Sequence, residues 1–297
     1  MMQPETTCRV IRQAVYGVAR QHRPDARSPI APLACWVMAI ALAVSAVCHA
    51  EDKVTASSAT PTLFIIGDST VKNGSGKGDG GLWGWGDPIA EAFDKRKINV
   101  QNRARGGRSS RTYLTEGLWD QVLKEMKPGD FVLMQFGHND GGPLNTGRAR
   151  ASIKGVGDQT QEVTVEATGK KEVVHTYGWY LKKYIADAKA KGATPIVLSP
   201  VPRNMWKDGN VIRASGDYGK WAAESAKAES VPFIDLNELI AAKYEAIGQE
   251  KVAADYFTAA DHTHTTVAGA KVNAKSVVEG IRELKDCELK NALLATK

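Results

Sequence analysis

Apolar residues gather along this chain into short unbroken runs, each closed by a polar turn. Thr62-Leu63-Phe64-Ile65-Ile66 ends in Gly67-Asp68-Ser69-Thr70, and Asp130-Phe131-Val132-Leu133-Met134-Gln135-Phe136 ends in Gly137-His138-Asn139-Asp140. Runs of this length predict strands buried on both faces, as in the middle of a parallel sheet. Ile98–Asn102, Thr194–Leu198 and Val231–Asp235 bring the set to five. Helical periodicity covers Leu118–Met126, Tyr177–Lys191, Tyr218–Ala228, Leu236–Gly248 and Val267–Leu284, and Asp87-Pro88 opens a further helix through Phe93. This alternation predicts right-handed βαβ crossovers, so the polar turns share one edge of the sheet, where ligands bind in open α/β folds. The weakly patterned stretch 141–176 holds a candidate hairpin, residues 161–166 with 172–175, and reads as an insertion near that edge.

The first fifty residues differ from the rest. Five arginines stand there against Glu5 and Asp25, followed by an apolar run from Ile30 to Cys48 and the small-residue end Cys48-His49-Ala50. That order predicts an export leader over residues 1–50, with a long basic start and cleavage after Ala50. An uncleaved membrane anchor is the second reading, since the run is near the length that spans a bilayer. A polar linker over 51–61, a catalytic-sized domain over 62–285 and a C-terminal tail over 286–297 complete the expected division. The destination is the periplasm or the cell exterior, with no membrane attachment once the leader is removed. Five of the 39 basic and two of the 33 acidic residues leave with it, so 34 face 31 and net charge falls from +6 to +3. The basicity is then partly the leader's, and nucleic acid is not an expected partner. Of four cysteines only Cys287 remains, which excludes an internal disulfide and leaves stability to the core. A monomer is expected.

A serine at the end of a buried strand becomes a nucleophile when a base lies within reach and a third group orients that base. Asp261-x-x-His264 supplies both from one segment: the carboxylate holds one imidazole nitrogen while the other takes the Ser69 proton. A developing oxyanion needs fixed donors. The candidates at strand ends are the backbone N–H groups of Ser69 and Gly107 and the side-chain amide of Asn139. Four arginines, Arg103, Arg105, Arg108 and Arg111, crowd the turn around Gly106-Gly107 and are either solvated charge or an anion-binding surface. Trp83 and Trp85, set among glycines, are either core residues or a platform for sugar rings. The Gly-rich stretch Lys72–Gly81 lacks the spacing and the final Lys-Ser/Thr of a phosphate loop.

Taken in order, Gly67-Asp68-Ser69, Gly107, Gly137-x-Asn139-Asp140 and Asp261-x-x-His264 resemble the four blocks of SGNH/GDSL hydrolases. More narrowly, Gly-Asp-Ser-Thr, Asn102-x-Ala104-x-Gly106-Gly107-Arg108-Ser109, Phe136-Gly137-His138-Asn139-Asp140 and Asp261-His262-Thr263-His264-Thr265 resemble rhamnogalacturonan acetylesterases and related pectin acetylesterases. The helix start Tyr177-Gly178-Trp179-Tyr180-Leu181 is similar too, so the likeness runs from Thr62 to Leu284. It implies a three-layer α/β/α sandwich, flavodoxin-like, around a mostly parallel five-stranded sheet. It also implies Ser69 as nucleophile, His264 as base, Asp261 as its orienter, and Gly107 and Asn139 beside Ser69 in the oxyanion hole. The implied substrate is an acetylated pectic polysaccharide, deacetylated without a cofactor.

Other readings start from the same residues. A broad acyl esterase or lipase needs an apolar acyl pocket, and a non-catalytic carbohydrate-binding protein would use Trp83 and Trp85. A metal-dependent hydrolase would draw on His138, His175, Asp261, His262 and His264, whose spacing fits no zinc motif, so no metal is expected.

Overall fold

The computed structural model describes residues 60–214 and 217–295. The leader expected over residues 1–50 lies outside the described residues, as does nearly all of the linker. Among the described residues no helix is long and apolar enough to cross a membrane. In chain order the elements are strands β1 (Thr62–Gly67) and β2 (Asn99–Asn102), helices α1 (Ser110–Thr115) and α2 (Leu118–Glu125), and strand β3 (Phe131–Gln135). The hairpin β4 (Thr160–Thr164) and β5 (Lys171–His175), helix α3 (Tyr177–Ala190) and strand β6 (Thr194–Leu198) follow. Then come the short pair β7 (Trp206–Lys207) and β8 (Asn210–Val211), α4 (Tyr218–Ala228), β9 (Phe233–Ile234), α5 (Leu236–Ile247) and α6 (Gln249–Tyr256). The chain closes with the pair β10 (Phe257–Thr258) and β11 (Asp261–Thr265), and α7 (Val267–Glu283).

Five strands form one sheet in the order β2-β1-β3-β6-β9, every pairing parallel. Both faces are covered, as the apolar runs require. Leu63, Ile65, Leu133, Ile196 and Leu198 face α5 and α7, meeting Ile240, Tyr244, Val277 and Ile281. Phe64, Ile66, Val132, Met134 and Val197 face α1 to α4, meeting Tyr113, Trp119, Tyr184 and Ala222. The result is the expected three-layer α/β/α sandwich. Counting sheet strands in chain order gives 2-1-3-4-5, a doubly wound order whose direction of winding reverses at β1, between β2 and β3. Ligands bind at such a reversal, and Ser69 follows β1 directly.

Several expected elements change at their ends. Residues 87–93 form only a short 3-10 turn, Ile89–Ala92, because Phe93 turns extended to bridge Leu293 and the Asp94 N–H donates to the Ala292 carbonyl. The described part of the expected C-terminal tail, residues 286–295, packs on the domain: Cys287, Leu289, Ala292 and Leu293 are buried in the core. The fifth strand shortens because its ends are spent elsewhere: the Val231 N–H caps α4 on Ala226, and Asp235 caps α5.

Arg111 departs most from expectation. It is fully buried in α1, so it is not a substrate-facing arginine. Its guanidinium donates to Glu172 Oε1 (2.9 Å) and to the carbonyls of Leu144 (2.8 Å) and Ala151 (2.9 Å). One cation thereby ties α1 to β5 and closes the loop between β3 and β4. A buried charge is tolerated only with such partners, and removing one side of the set strands the other. Arg111→Ala is expected to cost about 3–5 kcal/mol of unfolding free energy in urea titrations. A loss below about 1 kcal/mol, the range of exposed pairs, would contradict this reading.

Candidate active site

Ser69 stands on a turn held from below. The Asp68 carboxylate is fully buried, and its Oδ1 accepts from the Thr70 N–H (2.8 Å) and hydroxyl (2.7 Å). Gln135 Nε2 donates to Thr70 Oγ1 (2.7 Å), and Trp85 Nε1 donates to Gln135 Oε1 (2.8 Å). Trp85 is thus a core residue, and its proposed use as a sugar platform is corrected: its ring is wholly inside, fixed by its N–H. Burial raises the Asp68 pKa, but the adjacent His138 and the two Thr70 donors outweigh burial and hold it below the ordinary range. Asp68 Oδ2 and His138 Nδ1 face each other at 3.5 Å, close enough for ion pairing though outside hydrogen-bond geometry.

The base comes from β11, outside the main sheet. His264 Nε2 lies 2.7 Å from Ser69 Oγ, and His264 Nδ1 lies 2.6 Å from Asp261 Oδ2. A carboxylate only accepts, so Nδ1 carries the proton and Nε2 is left to accept from the Ser69 hydroxyl. The other carboxylate oxygen, Asp261 Oδ1, accepts the N–H groups of Thr263 (2.7 Å) and His264 (2.9 Å), which fixes its orientation. Partial burial raises Asp261, but these N–H donors and the imidazole outweigh burial and keep its pKa below the ordinary value.

The segment Trp83–Gly86 joins the two halves. The Trp83 N–H donates to the Thr265 carbonyl (2.8 Å), while those of Trp85 and Gly86 donate to the carbonyls of Thr70 (3.0 Å) and Val71 (2.9 Å). This lies so close to the serine turn that a Cβ on Gly84 would sit 2.2 Å from the Val71 carbonyl carbon. Trp83 remains partly exposed, its indole over Gly78.

The Gly106-Gly107 turn borders the serine: a Cβ on Gly106 would lie 3.5 Å from Ser69 Cβ. Gly107 takes a φ of +80°, which glycine adopts freely. Asn139 is buried and spends one amide N–H on the Arg108 carbonyl (2.9 Å), leaving a second N–H. The neighbouring Asp140 is fully buried and accepts from Ser110 and Ser152, so it anchors α1 and the β3–β4 loop rather than facing solvent.

Of the arginines read from the sequence, Arg103 pairs with Glu125 and Arg108 with Glu116 at the surface. Arg105 is exposed and lines a cleft of about 250 Å³ with Lys72 and Arg103. A second cleft, about 460 Å³, opens over Gly106 and Gly107 and is lined by Arg108, Arg148 and Arg150. Arg148 and Arg150 were not singled out from the sequence, since their stretch shows no periodicity. A third cleft, about 330 Å³, lies beyond His138 and includes Met205, Ile212 and Tyr218. Among the described residues no three His, Cys, Asp or Glu side chains are placed together to hold a metal ion.

Known proteins resemble this chain in sequence and in fold. Residues 65–272 match the GDSL-like Lipase/Acylhydrolase family. A rhamnogalacturonan acetylesterase of Emericella nidulans is 32% identical over 225 residues, covering 76% of this chain and 86% of that protein. The probable rhamnogalacturonan acetylesterase YesY of Bacillus subtilis is 34% identical over 226 residues, covering 75% and 93%. Among solved structures, the Bacillus subtilis protein YxiM superposes with a TM-score of 0.59 at 26% identity, over 75% of this chain and 56% of that one. An acetyl xylan esterase of Geobacillus stearothermophilus shares the fold, with a TM-score of 0.51 at 17% identity, over 74% and 94%.

Asp140 gives the site a pH signature. Burial pushes its pKa from 3.8 up to about 6, the serine hydrogen bonds compensating only in part, with the Asp68 charge adding to the rise. The folded state therefore holds this proton more tightly than the unfolded chain. Its contribution to stability is complete below the unfolded value and is lost as pH rises through the folded one. Asp140→Asn should remove that loss: melting temperatures of wild type and variant, measured from pH 4 to 7, are expected to diverge in slope between about 4 and 6. Parallel curves would count against a protonated buried Asp140.

Proposed function

The chain belongs to the GDSL-like lipase/acylhydrolase family, and from that premise we propose that it is an exported serine esterase removing O-acetyl groups from pectic rhamnogalacturonan. What carries the reading is the contact series Ser69 Oγ to His264 Nε2 (2.7 Å) and His264 Nδ1 to Asp261 Oδ2 (2.6 Å), set where the sheet reverses its winding. The named relatives support the substrate, since two of them are described as rhamnogalacturonan acetylesterases.

In the proposed mechanism Ser69 Oγ attacks the acetyl carbonyl while His264 Nε2 takes its proton. Negative charge forms on the carbonyl oxygen and is met by the N–H groups of Ser69 and Gly107 and the free N–H of Asn139. Collapse breaks the bond to the sugar oxygen, which takes the proton from the imidazolium and departs as a hydroxyl, leaving acetyl-Ser69. Water then enters, gives its proton to His264 and attacks the acetyl carbon. Collapse frees acetate and returns the proton to Ser69. Asp261 keeps the imidazole in one tautomer and stays ionised, as its lowered pKa requires.

The cleft beyond His138 gives the broad acyl esterase a specific foothold, because exposed Met205 and Ile212 line it beside the site. Its other lining includes Arg203, Arg213 and Asp217, so it is not an apolar acyl tunnel. Aryl esters of rising acyl length decide between the two: fastest hydrolysis of the acetate supports the acetylesterase, and a rate climbing with chain length supports the lipase.

Ser69→Ala is expected to lower kcat for acetate release from acetylated rhamnogalacturonan by about 10⁴ or more. A carbohydrate-binding protein would keep its function in that variant. Asn139→Ala, losing one oxyanion donor, should lower kcat by about 10²–10³ with little change in KM. Preference for neutral acetylated xylan over the pectic polymer would remove the substrate assignment and leave the esterase.

A further inference from the structure

The cleft over Gly106 and Gly107 has an unusual charge inventory. Arg108, Arg148 and Arg150 line it, and the only carboxylate among its lining residues is Glu116, which is already paired with Arg108 (2.8 Å). Among the described residues neither Arg148 nor Arg150 has a carboxylate partner. Arg150 Nη1 donates to the Gly107 carbonyl (3.0 Å), which aims the guanidinium along the turn that borders Ser69 and leaves its other N–H groups for a ligand.

The segment carrying these arginines is built rather than merely exposed. Arg111 clamps both of its ends through the carbonyls of Leu144 and Ala151, the Ser109 hydroxyl donates to the Arg150 carbonyl, and the Ser152 N–H donates to the Asp140 carbonyl (3.0 Å). Between the two arginines Ala149 is buried at a φ of +45°, a conformation that side-chain-bearing residues rarely adopt. Strain of this kind persists where the surroundings enforce it and gathers at binding sites. Desolvation first, and then the adjacent Arg148, press the Arg150 pKa downward, while the charges of Asp68 and Asp140 oppose the shift.

We propose that Arg148 and Arg150, with Arg108, form the subsite that holds the carboxylate of an acidic sugar while an acetyl group of the same polymer reaches Ser69. The assignment rests on the pectic esterase reading and adds the residues that would distinguish an acidic backbone from a neutral one. A planar guanidinium matches a carboxylate with two parallel N–H donors, and two arginines one residue apart across a kink present two such forks. The subsite lies on the β2 side of the serine, so the acidic sugar would enter from the Gly107 edge.

Acetate release is measured on acetylated rhamnogalacturonan and on the same polymer with its carboxyl groups reduced to primary alcohols. Wild type is expected to prefer the acidic polymer by about tenfold or more in kcat/KM, the scale of one charge-assisted hydrogen-bond pair. Arg148→Gln should reduce the preference, and Arg148→Gln with Arg150→Gln should bring the ratio close to one. Arg148 makes no side-chain hydrogen bond among the described residues, so its single variant keeps the test valid should the double variant fold poorly. Arg96→Gln removes an exposed charge before β2, at the end of that strand opposite the Gly106-Gly107 turn, and should keep the wild-type ratio. Equal wild-type rates on the two polymers, or an unchanged ratio in Arg148→Gln, would overturn the subsite and leave the esterase standing. No acetate release from either polymer would take both readings down.

Discussion

The serine turn depends on a chain of buried hydrogen bonds running from Trp85 through Gln135 and Thr70 to Asp68. Every member is inside the protein, where an unpaired polar group costs far more than at the surface. A rotation of the turn that displaced Ser69 would break Thr70 from Asp68 and Gln135 together. The hydroxyl is therefore positioned by polar atoms that never meet the substrate. Its own local sequence, four turn-forming residues, would tolerate many conformations.

A parallel sheet explains how residues far apart in the chain arrive at one place, but only for part of the site. Ser69, Gly107 and Asn139 follow β1, β2 and β3, so parallel pairing alone delivers them to a common edge. His264 stands on β11, outside the five-stranded sheet, and needs a separate device. That device is Trp83–Gly86, which hydrogen-bonds to β11 with its first residue and to the serine turn with its third and fourth. A side chain on Gly84 would drive the two apart, so the base reaches the nucleophile only because this segment is thin.

What could be read from the chain follows from how local each signal is. The buried strands declared themselves because both faces are covered, and α4 and the fourth strand because their apolar positions and flanking turns are sharp. The four site blocks were legible because each is a contiguous motif at a strand end or in one loop. Arg111 was misread because its partner Glu172 lies 61 residues later, and nothing near an arginine announces that it will be buried. The sequence leaves Trp85 between core and platform for a similar reason: its glycine neighbours suggest exposure, whereas they allow main-chain contact. Helix α1 escaped notice among serines and arginines, its Ser109 cap being reciprocated by Thr112 rather than the expected Glu or Gln. Arg148 and Arg150 lie on a loop whose shape is imposed by Arg111, so their grouping could not precede knowledge of that clamp.

Two buried carboxylates beneath the site show how the environment divides similar groups. Asp68 faces His138 and two Thr70 donors and is held low, whereas Asp140 meets only neutral serine donors and the Asp68 charge and is pushed up. Below about pH 6 Asp140 keeps its proton beside the carboxylate of Asp68, which spares the interior a second neighbouring negative charge in that range. The permanent positive charges are divided in the same way. Arg111 is paired with Glu172 and spends both Nη1 donors on carbonyls. Its buried Nη2 has no hydrogen-bond partner among the described residues, but the side chain is fully enclosed, so it builds the loop rather than reaching a ligand. Arg148 and Arg150, held by that loop without carboxylates of their own, carry their charge to the cleft beside Gly107. The buried arginine sets where the accessible ones stand, and the same segment can then be rigid at its base and receptive at its surface.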